Sequence, residues 1–151
     1  MKLSKSLYTR AIQCQKSLWL KKHNKDVLTP PNAAAQAIFE NGNEVGDLAC
    51  KLFPNGVEIP YLNTTFQDKI NLTQEYINQG TQNIYEATFE FDGILIMIDI
   101  LNIKDNSVII NEVKSSTQVK DIYLHDASIQ YYVLNDLRYE VKKINIIHIN
   151  N

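Results

Sequence analysis

Hydrophobic residues recur along this chain with two different periods, and the change falls near residue 80. Before it, Leu7, Ala11, Cys14 and Leu18 stand at helical spacing, which predicts one helix from Ser4 to about His23 with Ser4 as its N-cap. Asn24 to Asn32, with Pro30-Pro31, reads as a loop. Asn32 can cap a second helix from about Ala33 to Leu52, which holds Gly42 and Gly46. Each glycine costs about 1 kcal/mol in a helix interior, so both ask for close packing or a bound ligand. Phe53-Pro54-Asn55-Gly56 stops that helix, Val57 to Ile59 reads as a short edge strand, and Thr65 to Gln79 as a third helix on Phe66, Ile70 and Ile77.

After residue 80 the pattern becomes that of strands. Ile84 to Phe91 and Ile94 to Ile103 flank Asp92-Gly93, a dipeptide suited to a two-residue hairpin turn. Lys104 to Ser107 is a second turn, and Val108 to Lys114 a third strand. Ser115 to Lys120 is a loop, Asp121 to about Asn135 a helix, and Ile144 to Ile149 a last strand. Helices followed by strand, strand, strand, helix, strand predict an α/β sandwich with a mixed sheet.

Two features break the apolar pattern. Asp99 interrupts the run Ile94-Leu95-Ile96-Met97-Ile98 and Ile100-Leu101. A carboxylate buried there is costly unless paired or bound to a cation. Glu112-Val113-Lys114 ends the next strand, and alternation puts Glu112 and Lys114 on one face with Val113 on the other. A tight turn joins the two strands, so Asp99 can lie beside Glu112. Adjacent carboxylates repel unless they share a proton or a divalent ion. Hard cations such as Mg²⁺ prefer such oxygen ligands. Together with a lysine, the set suits metal-assisted hydrolysis of a phosphodiester. The competing reading is a surface Glu112–Lys114 ion pair with Asp99 in a turn.

In order, Glu86, Asp99, Glu112-x-Lys114 and Gln130 resemble the motifs of the PD-(D/E)XK nuclease superfamily, in particular its RecB-like branch. That branch includes CRISPR-associated RecB-like exonucleases, and a bacterial group within it is also similar. The opening words Ser4-x-Ser6-x-Tyr8 and Gln13-Cys14-Gln15-Lys16-Ser17-Leu18-Trp19-Leu20 resemble the first helix of those nucleases, and Gly42-Asn43-Glu44-Val45-Gly46 their second-helix motif. The resemblance spans nearly the whole chain. It implies a restriction-endonuclease-like αβββαβ core preceded by N-terminal helices. It also implies a Mg²⁺- or Mn²⁺-dependent deoxyribonuclease. Asp99, Glu112 and the Val113 carbonyl would be metal ligands, Lys114 the catalytic lysine, Gln130 a core-helix residue facing the scissile phosphate, and Glu86 an auxiliary acid.

The chain departs from that pattern at three places. Gly46 stands where the branch usually has a ligand histidine, and Glu44 is favoured over Asp47 as its substitute. Leu134 stands where Q-x-x-x-Y would place tyrosine, while Tyr131 and Tyr132 directly follow Gln130. Cys14 matches an early cluster cysteine of some relatives, but three late cysteines are missing, so an iron–sulfur cluster is not expected in this chain. With the resemblance, residues 1–151 read as one nuclease-like domain, helical over 1–80 with an α/β catalytic core at 84–151, and as a candidate N-terminal portion of a longer protein.

Charge adds a binding surface. The first 25 residues carry Lys2, Lys5, Arg10, Lys16, Lys21, Lys22 and Lys25 without an acid, although the whole chain has formal net charge −2. A basic segment on an acidic body suggests docking of a polyanion, here DNA, single-stranded or at a duplex end. Arg10, Lys16 and Lys21 would guide the strand, Ser115 and Ser116 could bond phosphates, and Tyr131 could stack on a base. Trp19 reads as core and His125 as half-buried and hydrogen-bonded. Two cysteines cannot form a disulfide framework. No apolar run is long enough for a membrane span and no secretory leader is evident, so the expected location is cytoplasmic. A nuclease-like fold that binds nucleic acid or protein without cutting is the alternative.

Overall fold

The computed structural model describes residues 3–104 and 107–150. It is an α/β fold with a mixed, open sheet of six strands. The elements are β1 (Leu3–Ser4), α1 (Lys5–Gln13), α2 (Gln15–His23), a 3-10 turn (Lys25–Val27), α3 (Ala33–Cys50), β2 (Val57–Glu58), α4 (Phe66–Asn78), β3 (Asn83–Phe91), β4 (Ile94–Lys104), β5 (Ser107–Lys114), α5 (Asp121–Asp136) and β6 (Glu140–His148). The strand order is β2-β3-β4-β5-β6, with β1 on β4. β3, β4 and β5 are antiparallel neighbours, while β1, β2 and β6 each join in parallel. Asp92 and Gly93 turn the first hairpin with φ of 49° and 73°, as its dipeptide requires. The second turn includes Asp105 and Asn106, outside the described residues, as is Lys2.

Local chemistry explains most boundaries. Thr65 and Asp68 cap α4 reciprocally, each side chain taking the other's backbone N–H. Asn32 caps α3 through Ala35 N–H at 2.9 Å. β6 begins at Glu140 rather than at Ile144. Its first residues, Glu-Val-Lys-Lys, are the charged run that a sheet edge tolerates, so the apolar pattern shows only its second half. The expected single first helix is two. Cys14 is extended, with φ −164° and ψ 105°, and its Sγ caps α2 by accepting from Ser17 N–H. Neither glycine nor proline marks that break in the sequence.

The main core lies between the sheet and helices α4 and α5. Ile84, Ala87, Phe89, Ile96, Ile98, Leu101, Val108 and Ile110 meet Val133 and Leu134 of α5 and the partly buried Leu72, Tyr76 and Ile77 of α4. The buried face of α4 also carries Thr73, whose hydroxyl donates to the Lys69 carbonyl and accepts from Thr88 N–H of β3. A helix side chain thus satisfies a strand amide beyond the reach of the two-residue β2. Trp19 lies on the surface rather than in the core, 58% exposed and tilted against His23.

Gly56 is packed against the Tyr85 ring, and a Cβ there would overlap Cζ, Oη and Cε1. The Tyr85 hydroxyl donates to the carbonyls of Phe53 at 2.5 Å and Cys50 at 3.3 Å, tying the end of α3 to β3. Gly56→Ala is therefore expected to lower stability by about 1–3 kcal/mol, the usual cost of overpacking. Urea unfolding of Gly56→Ala, Tyr85→Ala and the double variant checks it: the double should cost less than the sum, because the clash needs both partners.

Candidate functional site

The sheet forks at Asp99. β4 pairs with β5 from Lys104↔Ser107 as far as Ile100↔Asn111, and there the ladder ends. The next pair in register would set Asp99 opposite Glu112. Instead the Asp99 carboxylate takes the Val113 N–H, Oδ2 to N at 2.6 Å. β5 continues beside β6 through Glu112, Val113 and Lys114. The other end of β4, at Ile94 and Leu95, is joined by β1. Lys5, the residue after β1, reaches the fork.

Four elements then meet at one cluster. Lys5 Nζ donates to both Glu112 oxygens at 2.9 Å. It also lies 4.0 Å from Asp99 Oδ1 and 3.7 Å from Asp126 Oδ1. Lys114 Nζ donates to Glu112 Oε1 at 2.6 Å and to Asp126 Oδ2 at 2.5 Å. Gln130 Nε2 donates to Glu112 Oε2 at 2.7 Å. Glu112 is the hub, its side chain 1% exposed, against 18% for Lys5, 19% for Lys114 and 29% for Asp99. Asp126 Oδ1 and Gln130 Oε1 are buried without a hydrogen-bond partner.

The electrostatics follow from burial and these charges. Burial alone would raise the Glu112 pKa, but Lys5 and Lys114 outweigh it and hold the carboxylate at about 2. For Asp99 burial wins, and it is pushed up to about 7 with Lys5 opposing and Glu112 adding. Asp126 is also raised, first by burial. Burial would lower both lysines, yet the carboxylates around them keep both above the ordinary lysine value. Two lysines thus stand among three acids, of which Glu112 is shifted downward and Asp99 and Asp126 upward.

A cleft of about 820 Å³ opens on the opposite side of the fork, lined among others by Gly42, Gly46, Asp47, Tyr61, Glu86, Asp99 and Val113. It touches the cluster through Asp99 and Val113, while Glu112 and Lys114 face Asp126 and Gln130 of α5, as strand alternation requires. Glu86 lies on its wall with φ 58° and a pKa raised mainly by burial. A left-handed glutamate is uncommon. It bends β3 where the ladder lacks a Glu86–Asp99 pair. A Cβ on Gly42 or Gly46 would meet nothing within 4 Å. Close packing therefore does not account for them, and both leave open space in the cleft.

Several expectations change. Glu44 is exposed and is not among the cleft residues, whereas Asp47 lines it. On α3 the two acids are three positions apart and both are exposed, and Asp47 stands at the margin of the face that carries Gly42, Gly46 and Cys50. Glu44, the substitute favoured from the sequence, therefore stands away from the cleft, and Asp47, the alternative, stands on it. His125 is exposed, edge-on to Tyr8. Leu134 is fully buried in the core, and Tyr131 is 47% exposed on α5. Ser116 Oγ donates within its own loop to the Gln118 carbonyl, and Ser115 beside it is half-buried. Arg10 donates to Ser17 at 2.7 Å, bridging α1 and α2, while Lys16 is exposed and Lys21 half-buried.

Sequence reasoning missed Lys5 and Asp126. Lys5 was one of seven bases in a row without acids, and only the pairing of β1 separates it from them. Asp126 did carry a signal: it lies four residues before Gln130 on one helix, hence on the same face.

The donor set suits a hard cation. Carboxylates of Asp99, Glu112 and Asp126 surround one position, and one buried Asp126 oxygen lacks a hydrogen bond. That position holds the Lys5 ammonium. Among the described residues no three acidic, histidine or cysteine side chains stand close enough together to form a ready metal group. Ammonium contacts of 2.9–4.0 Å keep these oxygens apart, and Mg²⁺ binds at about 2.0–2.1 Å. No helix among the described residues is long and apolar enough to cross a membrane. Comparison with protein-family models, curated proteins and solved structures finds no match to this chain.

Proposed function

We propose that this chain is a divalent-metal-dependent deoxyribonuclease of the RecB-like type. The observation that carries the reading is the convergence of Asp99, Glu112, Lys114 and Gln130, from β4, β5 and α5, at a fork in the sheet beside an open cleft. Asp99, Glu112 and the Val113 carbonyl would hold Mg²⁺ or Mn²⁺, with Asp126 as a further oxygen donor and Asp47 and Glu86 on the adjoining wall. A bound divalent ion lowers the pKa of water and neutralises phosphoryl charge. The chain's own groups do the rest. Gln130 fixes the Glu112 rotamer. Lys114, held between Glu112 and Asp126, supplies a positive group for charge developing on the phosphate. Asp126 positions Lys114 through the 2.5 Å bond.

The test is incubation with labelled single-stranded DNA, duplex DNA and RNA, with and without Mn²⁺. Cutting that requires the metal and is lost in Asp99→Ala supports the reading. A second reading is favoured by one observation: Lys5 and Lys114 already pair with Glu112 and Asp126. On it the chain binds nucleic acid or a partner protein without cutting. Metal-independent binding with no cleavage of any substrate selects it.

The basic first helices supply the strand-binding surface in either case. Reversing Arg10, Lys16 and Lys21 to Glu is expected to weaken DNA affinity and flatten its salt dependence by about 0.9 log units per lost phosphate contact on duplex DNA. Fluorescence anisotropy across a salt series measures both. Lys16→Glu alone should show part of the effect without disturbing the Arg10–Ser17 bond. Unchanged affinity and slope would move the DNA path elsewhere.

A further inference from the structure

We infer that Lys5 is an internal counter-ion of the site, displaced when a divalent cation binds. The inference rests on the metal-binding reading above and deepens it.

Three observations converge on it. The Lys5 ammonium occupies the point where carboxylates from three elements face one another, both Glu112 oxygens at 2.9 Å, Asp126 Oδ1 at 3.7 Å and Asp99 Oδ1 at 4.0 Å. A second cation cannot share that point, because like charges at such range repel strongly. Secondly, Glu112 is 1% exposed and Lys5 18%. Lys5 is thus the more solvent-exposed of the bonded pair, and its hold on both Glu112 oxygens must loosen before another cation can take them. Thirdly, the mounting of Lys5 is light. It follows a strand of only two residues, fixed by Leu3↔Ile94, Ser4↔Leu95 and the Leu3 N–H on the Gly93 carbonyl, and α1 contains no fully buried residue. Its long flexible stem lets the head withdraw without unfolding the sheet. Lys114 differs: it stands on a central strand, bonded to two carboxylates and over the Tyr123 ring. It stays in the site while Lys5 leaves.

The function of such an arrangement is selectivity for occupied sites. Without metal, Lys5 stands between Glu112, Asp126 and Asp99 and offsets the negative charge they carry. With metal, the ammonium leaves the carboxylates and joins the other bases of the N-terminal segment in solvent.

Mn²⁺ alone is the probe. Isothermal titration of Mn²⁺ into wild type, Lys5→Met and Lys5→Arg, without DNA, is expected to show at least tenfold tighter binding for Lys5→Met and near wild-type binding for Lys5→Arg. Lys5→Met should also melt lower than wild type without metal and gain more from Mn²⁺. Amine labelling of the wild type followed by mass spectrometry supplies a measurement that does not depend on Lys5→Met folding without metal. Saturating Mn²⁺ should raise labelling of Lys5 several-fold relative to Lys16. Mn²⁺ binding that is unchanged or weaker in Lys5→Met, or Lys5 labelling that does not rise at saturation, overturns the inference and leaves the metal reading standing. Absence of Mn²⁺ binding at millimolar concentration in both wild type and Lys5→Met overturns the metal reading and the inference with it.

Discussion

Replacing Glu112 with alanine is expected to abolish metal-dependent cleavage and to lower the melting temperature by roughly 10 °C. The two effects have different sources. Glu112 is the common partner of Lys5, Lys114 and Gln130. Truncating it leaves two ammonium groups without their main counter-charge in a largely buried place. Breaking a buried ion pair from one side costs about 3–5 kcal/mol. Here both lysines keep nearly a fifth of their side chains exposed, so the lower end applies, about 3 kcal/mol. For a chain of this length each kcal/mol moves the midpoint by about 2–4 °C. Glu112→Gln separates structure from chemistry. Gln130 has a buried oxygen without a partner, so turning its amide lets it accept from the new side-chain amide. That variant restores the packing and a bond to Gln130 but not the counter-charge of Lys5 and Lys114, so it should recover only part of the lost melting temperature and cut no better than Glu112→Ala. Thermal melts with a Mn²⁺-dependent cleavage assay decide it. A Glu112→Gln protein with wild-type cleavage would remove Glu112 from the chemistry.

The same residue shows how far the sequence carries. Asp99 and Glu112 stood out because a carboxylate in an isoleucine-rich strand needs a reason, and the short turn between Lys104 and Ser107 made their strands neighbours. The reading that Glu112 and Lys114 share a face followed from alternation alone. What it could not show was the end of the β4–β5 ladder one pair before Asp99. Nothing local specifies that. It results from β5 following β6 while β4 is joined by β1, a competition among long-range pairings. β1 itself is two residues long and has no periodicity to read. Without it Lys5 could only be counted among the bases of an amphipathic helix. The break at Cys14 was hidden for a related reason, since a cysteine thiol is a weak and unusual cap. Glu44 and Asp47 are both polar and both on α3, and only the packing direction of that helix tells them apart.

Asp99→Asn is expected to raise the melting temperature of the metal-free protein at pH 8 and to remove the stabilisation that Mn²⁺ gives the wild type. Asp99 carries a carboxyl whose pKa is pushed up to about 7, first by burial. Its unfolded value is about 3.9. Between these two values the folded chain holds a proton that the unfolded chain has lost. Stability contributed by this group is therefore complete below about pH 4 and falls as pH rises through about 7. Glu112 acts in the opposite sense. Its pKa of about 2 lies below the unfolded value, so its contribution is present above about pH 4.5 and is lost as pH falls through about 2. From pH 4.5 to 8 the Asp99 slope remains, with Asp126 and Glu86 raised in the same sense, and Asp99→Asn should reduce it. The amide can still accept the Val113 N–H that Asp99 Oδ2 now takes, so the fork keeps its geometry. In wild type a divalent ion binds the folded site and not the scattered ligands of the unfolded chain. At a hundredfold excess over the dissociation constant this adds about 2.7 kcal/mol, or roughly 5–10 °C for a chain of this length. Melts of both proteins at pH 5, 6.5 and 8, in chelator and in millimolar Mn²⁺, measure every term. A wild type that does not shift with Mn²⁺ would favour the non-cutting reading. An Asp99→Asn protein that keeps the full Mn²⁺ shift would place the metal away from Asp99.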